Sequence, residues 1–495
     1  MTRTEQPDPI NGENNYWGTN NTSEITALIT DYNDDFNLAE LDIDPYLTSP
    51  NTTAPISPPI GGTQTSSSSN YIISWSANLE SDVAGYKVYY GNYTGYSFSN
   101  VKDVGNVTSY DMTAAGLASY SDSVIAVTAY DNNADGTDDQ VEGYESWFSI
   151  VPYTGPVWYV SKSGSDDNDG SEDSPFITIQ KGIDSASSGD TIRVGAHIID
   201  PAPTSSHYYS KITITDKSLT ILSDSGADST KIDGGGTERP VTITGTSAVT
   251  MKGFSITNGL SDNGGGINIS STGGVLLENL NIYGNQSSGG GGGIFIGADI
   301  ANTIINSCKI YNNECVGSGG GIVNQDSTIV LNTLIYNNEA QTDGGGISSR
   351  APLILINSTL AHNFIPDGRY GPALKIETGL DSLLLFNNIF YHNYFLVASQ
   401  QHVGNALDLD DGRLVAYNNY FQSGDNNLTI SRGSGNIFSD TQPVISPISS
   451  SDDFSLKNTS SAIGAGISSV TLNGTTYSAP STDYTSAARP QPAGT

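Results

Sequence analysis

The chain has 495 residues, with 19 Lys plus Arg against 52 Asp plus Glu, so its formal net charge is −33. A field of that sign repels nucleic acid and anionic membrane surfaces and tolerates cations. Only 14% of residues are charged, and the polarity comes from Asn, Ser, Thr and 55 Gly, which excludes a charge-rich disordered chain.

Residues 1–50 open without the apolar core of a signal peptide, so an export signal is expected elsewhere. They carry the run Asn14-Asn15-Tyr16-Trp17-Gly18 and one helical pattern, Glu24 to Tyr32, in which Ile25, Leu28 and Ile29 share a face and Ser23 is the expected cap. Residues 51–69, rich in Pro, Ser and Thr, read as a linker. Residues 70–153 alternate as short strands at sandwich-like spacing. No run of about 18 apolar residues occurs anywhere, so no membrane-spanning helix and no membrane insertion is expected.

The last two sandwich strands bracket an acidic loop. Asp131, Asn133, Asp135, Thr137, Asp139 and Glu142 fall at the alternating spacing of a calcium loop, with Gly136 at its turn. Calcium takes about six to eight oxygens, and this pattern supplies them from alternate residues. Position 8 is Asp138 rather than apolar, and no helices flank the loop. A solvated Asp/Asn/Gly hairpin is the competing reading.

Residues 156–480 carry an internal repeat. Gly264-Gly265-Gly266-Ile267 recurs at Gly291 to Ile294, Gly319 to Ile322 and Gly344 to Ile347, with degenerate copies ending at Leu374 and Leu407. Asn285, Asn313, Asn338, Asn363 and Asn393 keep the same beat, as do Ile282, Ile310, Ile335, Leu360 and Phe390. A strand-rich period in the twenties means a solenoid, whose units bury a core only by stacking. Each coil adds about 4.8 Å, and stacked asparagines pass hydrogen bonds between coils.

These GGGI repeats with their YNN turns resemble the right-handed parallel β-helix of the pectin-lyase-like superfamily. The run from Trp158 through Gly170 and Phe176 to Gln180, followed by Gly189 to Val194, resembles the start of such a helix. Trp75, Gly85 to Tyr90, Leu117 and Val124 to Tyr130 resemble a fibronectin type III domain. Residues 1–50 resemble the closing turn of a preceding β-helix, and residues 481–495 a truncated β-helix tail. The expected fold class is therefore all-β, and the chain is expected to be one piece of a longer, exported, modular protein. The superfamily holds lyases, hydrolases, adhesins and inert spacers, so the resemblance specifies the fold more than the activity.

Four constellations carry candidate chemistry. Asp166, Asp167, Asn168, Asp169, Glu172 and Asp173 crowd one loop, where a soluble turn competes with a metal site. Aligning Ile347, Leu374 and Leu407 stacks Ser348, Lys375 and Asp408 on one outward line and Arg350, Glu377 and Asp410 on the next. Ladder ion pairs Arg350–Glu377 and Lys375–Asp408 follow, with Glu377 beside Asp410 as a like-charge pair. Paired carboxylates serve as acid and base in glycoside hydrolysis, whereas a cation beside a carboxylate suits uronate β-elimination. A solvated charged face is the competing reading.

Tyr283, Tyr311, Tyr336 and Tyr391 share one outward register with Ala361 in the gap, either stacking sugar rings or simply stiffening the face. His362 and His392 lie one coil apart, where Asn312 and Asn337 hold the same position; either ring suits a general base, and no third ligand for zinc is visible. Cys308 and Cys315 are too few for a disulfide scaffold or a thiolate zinc site. No phosphate loop, nucleophile elbow or basic aromatic patch is present, so no nucleic-acid partner is expected. The leading expectation is an extracellular or cell-surface protein that lays a polysaccharide along the β-helix, cleaving it as a lyase or hydrolase near residues 350–413 if it is an enzyme. The alternative is a non-catalytic adhesin or spacer.

Overall fold

The computed structural model describes residues 10–11, 17, 19–29, 41–49, 56–67, 70–80, 83–93, 97–120, 124–131, 145–195, 211–298, 302–366, 371–377, 383–397, 400–403, 407–409, 414–422, 430–446, 453–457, 459–472 and 474–483. The chain divides into two compact units, residues 1–154 and 155–495.

In the first unit the helix spans Thr22–Ala27, earlier and shorter than expected. Its cap is Asn21, not Ser23. The Asn21 side chain accepts from the Ser23 N–H, while the Glu24 carboxylate takes hydrogen bonds from Asn21 Nδ2 at 3.2 Å and Thr19 Oγ1 at 2.5 Å. Only Ile25 is buried and Leu28 is 69% exposed, so no packed stripe carries the helix further.

Two antiparallel sheets follow. One joins Thr63–Ser67, Asn70–Ser74 and Ser109–Asp111; the other runs in the order Phe98–Gly105, Val83–Tyr93, Ile125–Asp131 and Ser149–Val151. They share one core that includes Ile73, Trp75, Tyr86, Val88, Ile125 and Val127. Ile56 joins this core too, so the stretch read as a linker contributes both a core residue and the first strand. Lys87 Nζ lies 2.8 Å from Glu145 Oε2, and the Tyr89 and Thr128 hydroxyls donate to Glu145 Oε1, which leaves this buried carboxylate fully paired.

The second unit is a stack of parallel coils. One coil reads Val249–Lys252, Ser255–Thr257, Leu260–Ser261 and Ile267–Ser271, and these four strands contribute to a first, second, third and fourth face. Among the described residues the faces hold 11, 9, 7 and 8 strands respectively. Pairing is parallel throughout, except where Tyr394–Val397 turns back on Gln400–Val403 at the end of the third face. The expected inward series is fully buried: Ile282, Ile310, Ile335, Leu360 and Phe390 are each 0% exposed.

Two features explain why the repeat keeps its register. Nδ2 of Asn313 donates to Asn338 Oδ1 at 3.0 Å, and the same link joins Asn285 to Asn313, Asn338 to Asn363 and Asn363 to Asn393. Each Oδ1 also accepts the backbone N–H of the asparagine one coil earlier. The glycine triplets answer a steric need. Gly319 opens its turn at φ +73°, and a Cβ on Gly320 would lie 2.5 Å from the carbonyl oxygens of Glu339 and Gly345 in the next coil.

A helix absent from the sequence reading, Ile179–Ser185, stands between the first two strands of the first face and is capped by Thr178. The acidic loop before it is a structural turn. Asp166 accepts from the Ile177 and Thr178 N–H groups and from the Thr178 hydroxyl, and Asp169 accepts from Ser171 N. Cys308 and Cys315 are free and buried, at separate places in the coils. Burial pushes both thiols up to about 12.

The C-terminal segment returns along the outside of the stack. Val444 and Phe454 pack on Leu334, Tyr336 and Ala361. The hairpin Ser469–Leu472 with Thr475–Ser478 covers apolar residues of the first face, including Ile356, Leu384 and Phe386. Asparagines in left-handed turns clip it down: Asn332 donates to Thr482 O, Asn418 to Ala465 O, and Asn387 exchanges two hydrogen bonds with Ile467.

Candidate functional site

Strand pairing places Ser348, Lys375 and Asp408 on successive rungs of the fourth face. Lys375 Nζ is 2.6 Å from Asp408 Oδ2, and Arg350 Nε is 2.8 Å from Glu377 Oε2. Both ladder pairs thus form as the repeat spacing predicts. They differ in setting. Lys375 and Asp408 side chains are 12% and 26% exposed, which fixes their geometry, whereas Arg350 and Glu377 are 52% and 37% exposed and screened by water. Asp410, the expected like-charge neighbour of Glu377, lies outside the described residues. The result is two ion pairs at one-coil spacing, of which Lys375–Asp408 is the better enclosed. The connection leading into it, from Ile365 to Leu374, is longer than that from Ala340 to Ile347.

The tyrosine row requires a correction. Tyr283, Tyr311 and Tyr336 do stack, with ring centroids 5.0 and 4.9 Å apart and planes within 13°. Ala361 interrupts the row before Tyr391. But Tyr336 is 1% exposed, because Phe454 lies 4.8 Å from its ring and Val444 packs beside it. The row is therefore no continuous platform for a sugar chain. Tyr283, Tyr311 and Tyr391 are half-buried.

His362 and His392 occupy the turn between the second and third faces in the left-handed conformation, φ 54° and 53°, as Asn312 and Asn337 do at 53°. Their Nδ1 atoms are 2.9 Å apart. His362 is 6% exposed, and its Nε2 has no hydrogen-bond partner. Burial, then the neighbouring ring, pushes the His362 imidazole down to about 4, and burial lowers His392 as well. The His392 backbone N–H donates to Gln422 Oε1 at 2.8 Å.

One pair was missed by the sequence reading. Glu314 and Glu339 are register partners on the third face. Burial, then the Glu314 charge, raises the Glu339 carboxyl, while Gln341 Nε2 donates to its Oε1 at 2.8 Å. The next residues of this row, Phe364 and Tyr394, stack at 4.9 Å. The signal was present as a repeated tetrad, Tyr-Asn-Asn-Glu, at 311–314 and 336–339.

Of the expected calcium loop, Asp131 ends the strand Ile125–Asp131 and is 8% exposed. Asn133, Asp135, Thr137, Asp139 and Glu142 lie outside the described residues. Among the described residues no group of three or more His, Cys, Asp or Glu side chains is placed to hold a metal ion.

No family model matches the chain, and no curated protein matches it. Solved structures similar to it include pectate lyase Pel9A, at 12% identity over 66% of this chain and 95% of that one, with a TM-score of 0.38. A rhamnogalacturonan lyase is 14% identical over 54% of this chain and 87% of its own, with a TM-score of 0.33. A complex of XylC with xylose is 11% identical over 68% of this chain and 97% of its own, with a TM-score of 0.29.

Proposed function

We propose that this is an extracellular or cell-surface protein that binds polysaccharide on the fourth face of a pectin-lyase-like, right-handed β-helix, behind a fibronectin-III-like module. The observation that carries the reading is the pair of ladder ion pairs, Arg350–Glu377 and Lys375–Asp408, on neighbouring coils. Ion pairing holds the better enclosed Lys375 and Asp408 groups in place, and their remaining N–H and lone-pair sites suit recognition of ring hydroxyls along an extended chain. Affinity electrophoresis through gels cast with uronate-containing and neutral polysaccharides tests it. Retardation in at least one gel, weakened about threefold or more in Arg350→Ala/Glu377→Ala, is expected. Unretarded migration in every gel rejects the reading and leaves the spacer alternative.

Cleavage is the second reading, favoured by the raised carboxyl of Glu339 beside Glu314. In a lyase, Lys375 and Arg350 neutralise the substrate carboxylate; in a hydrolase, Glu377, Asp408 and Asp410 supply acid and base. Unsaturated-uronate absorbance identifies the first and new reducing ends without it the second. Calcium, held by the 131–142 loop, stiffens that loop in this reading. Calorimetry on the full chain that shows no calcium heat rejects the assignment.

A further inference from the structure

We propose that His362 and His392 form a two-imidazole site for a divalent transition metal with tetragonal preference, Cu2+ foremost. Their Nδ1 atoms are 2.9 Å apart. With metal–nitrogen bonds of about 2.0–2.1 Å, two donors at 90° sit about 2.9 Å apart, and two tetrahedral donors about 3.3 Å apart. The observed separation matches the cis pair of a square-planar or tetragonal ion.

Two further observations point the same way. The turn does not require histidine, since Asn312 and Asn337 hold it in the same conformation one and two coils earlier. Finally, the pair lies in a chain of net charge −33, which concentrates cations.

In the metal-free pair one Nδ1–H donates to the other Nδ1. Placing that proton on His362 leaves its buried Nε2 bare and avoids an orphaned N–H. Metal binding at both Nδ1 atoms moves the His362 proton to its own Nε2, so no proton is released and the two rings stay neutral. Burying that N–H without a partner costs free energy, which selects for the strongest binder in the divalent series, Cu2+. No third His, Cys, Asp or Glu joins the pair among the described residues, so water completes the coordination.

The test adds one equivalent of CuCl2 to the tag-free full chain and records its electron paramagnetic resonance spectrum, with affinity by calorimetry. The expected spectrum is axial, with superhyperfine splitting from two nitrogens. His362→Asn and His392→Asn place the residue native to the equivalent turns, so the fold is kept. Each is expected to weaken copper binding at least tenfold, and the double variant to abolish the two-nitrogen pattern. A wild-type spectrum without nitrogen coupling overturns the proposal irrespective of how the variants fold. So does a double variant that binds copper with unchanged affinity and stoichiometry.

Discussion

Replacing Asn338 by alanine tests the claim that the asparagine ladder holds the coils in register. Asn338 is 0% exposed. Its Oδ1 accepts from Asn313 N at 3.1 Å and Asn313 Nδ2 at 3.0 Å; its Nδ2 donates to Ile310 O at 2.9 Å and Asn363 Oδ1 at 3.0 Å. Alanine removes all four bonds. The Asn363 oxygen keeps the Asn338 backbone N–H, and Asn313 Nδ2 keeps Ile282 O. The Asn313 backbone N–H loses its side-chain acceptor inside the stack, a loss worth about 1–3 kcal/mol. Adding about 1 kcal/mol for each donated bond brings the cost to about 3–5 kcal/mol. Equilibrium urea denaturation, followed in both directions, reads this as a fall in unfolding free energy. Hydrogen exchange places the lost protection at residues 310–316 and 336–340. Asn337→Gly is the matched control: its neighbour faces outward at φ 53°, and glycine accepts that conformation. A cost below about 1 kcal/mol for Asn338→Ala, or one equal to the control, refutes the ladder as the register-setting element.

Glu339 supplies a pH-dependent prediction. Its carboxyl is raised in the folded state, so the folded chain holds this proton more tightly than the unfolded chain does. The contribution is present below the ordinary carboxylate range and is lost as pH rises through the folded value. Glu339→Gln is therefore expected to stabilise the protein at neutral pH by a few tenths of a kcal/mol, given screening at a partly exposed site, and to show no gain at pH 4; equal melting temperatures for the two proteins at pH 7 contradict it. The cysteines supply another. With thiols pushed up to about 12 and buried, Cys308 and Cys315 are expected to react with a thiol reagent at pH 8 at least a hundredfold more slowly in the folded chain than in denaturant. Fast labelling of the native protein rules this out.

What the sequence disclosed follows from how each feature is encoded. The coils, the inward aliphatic line and the asparagine ladder are periodic, so one alignment yields every contact between neighbouring rungs. Lys375–Asp408 and Arg350–Glu377 fall out of the same alignment. The burial of Tyr336 does not, because its cover, Phe454, lies far along the chain in a segment without the repeat. The helix starts earlier than its apolar spacing indicates because Asn21 caps it, its Oδ1 accepting from Ser23 N while its Nδ2 donates to Glu24. Register placed His362 and His392 side by side, but spacing does not reveal that two rings approach within hydrogen-bond distance or that one is sealed from water.

The returning C-terminal segment changes how the stack comes apart. A plain solenoid behaves as a chain of nearest-neighbour couplings, so an end coil detaches without consulting distant ones. Here Asn418, Asn387 and Asn332 grip the returning segment before and after its hairpin, at Ala465, Ile467 and Thr482, bypassing the coils between them. Peeling the C-terminal coils therefore also requires stripping that segment, and rungs from Leu331 to Tyr417 open together as one cooperative block.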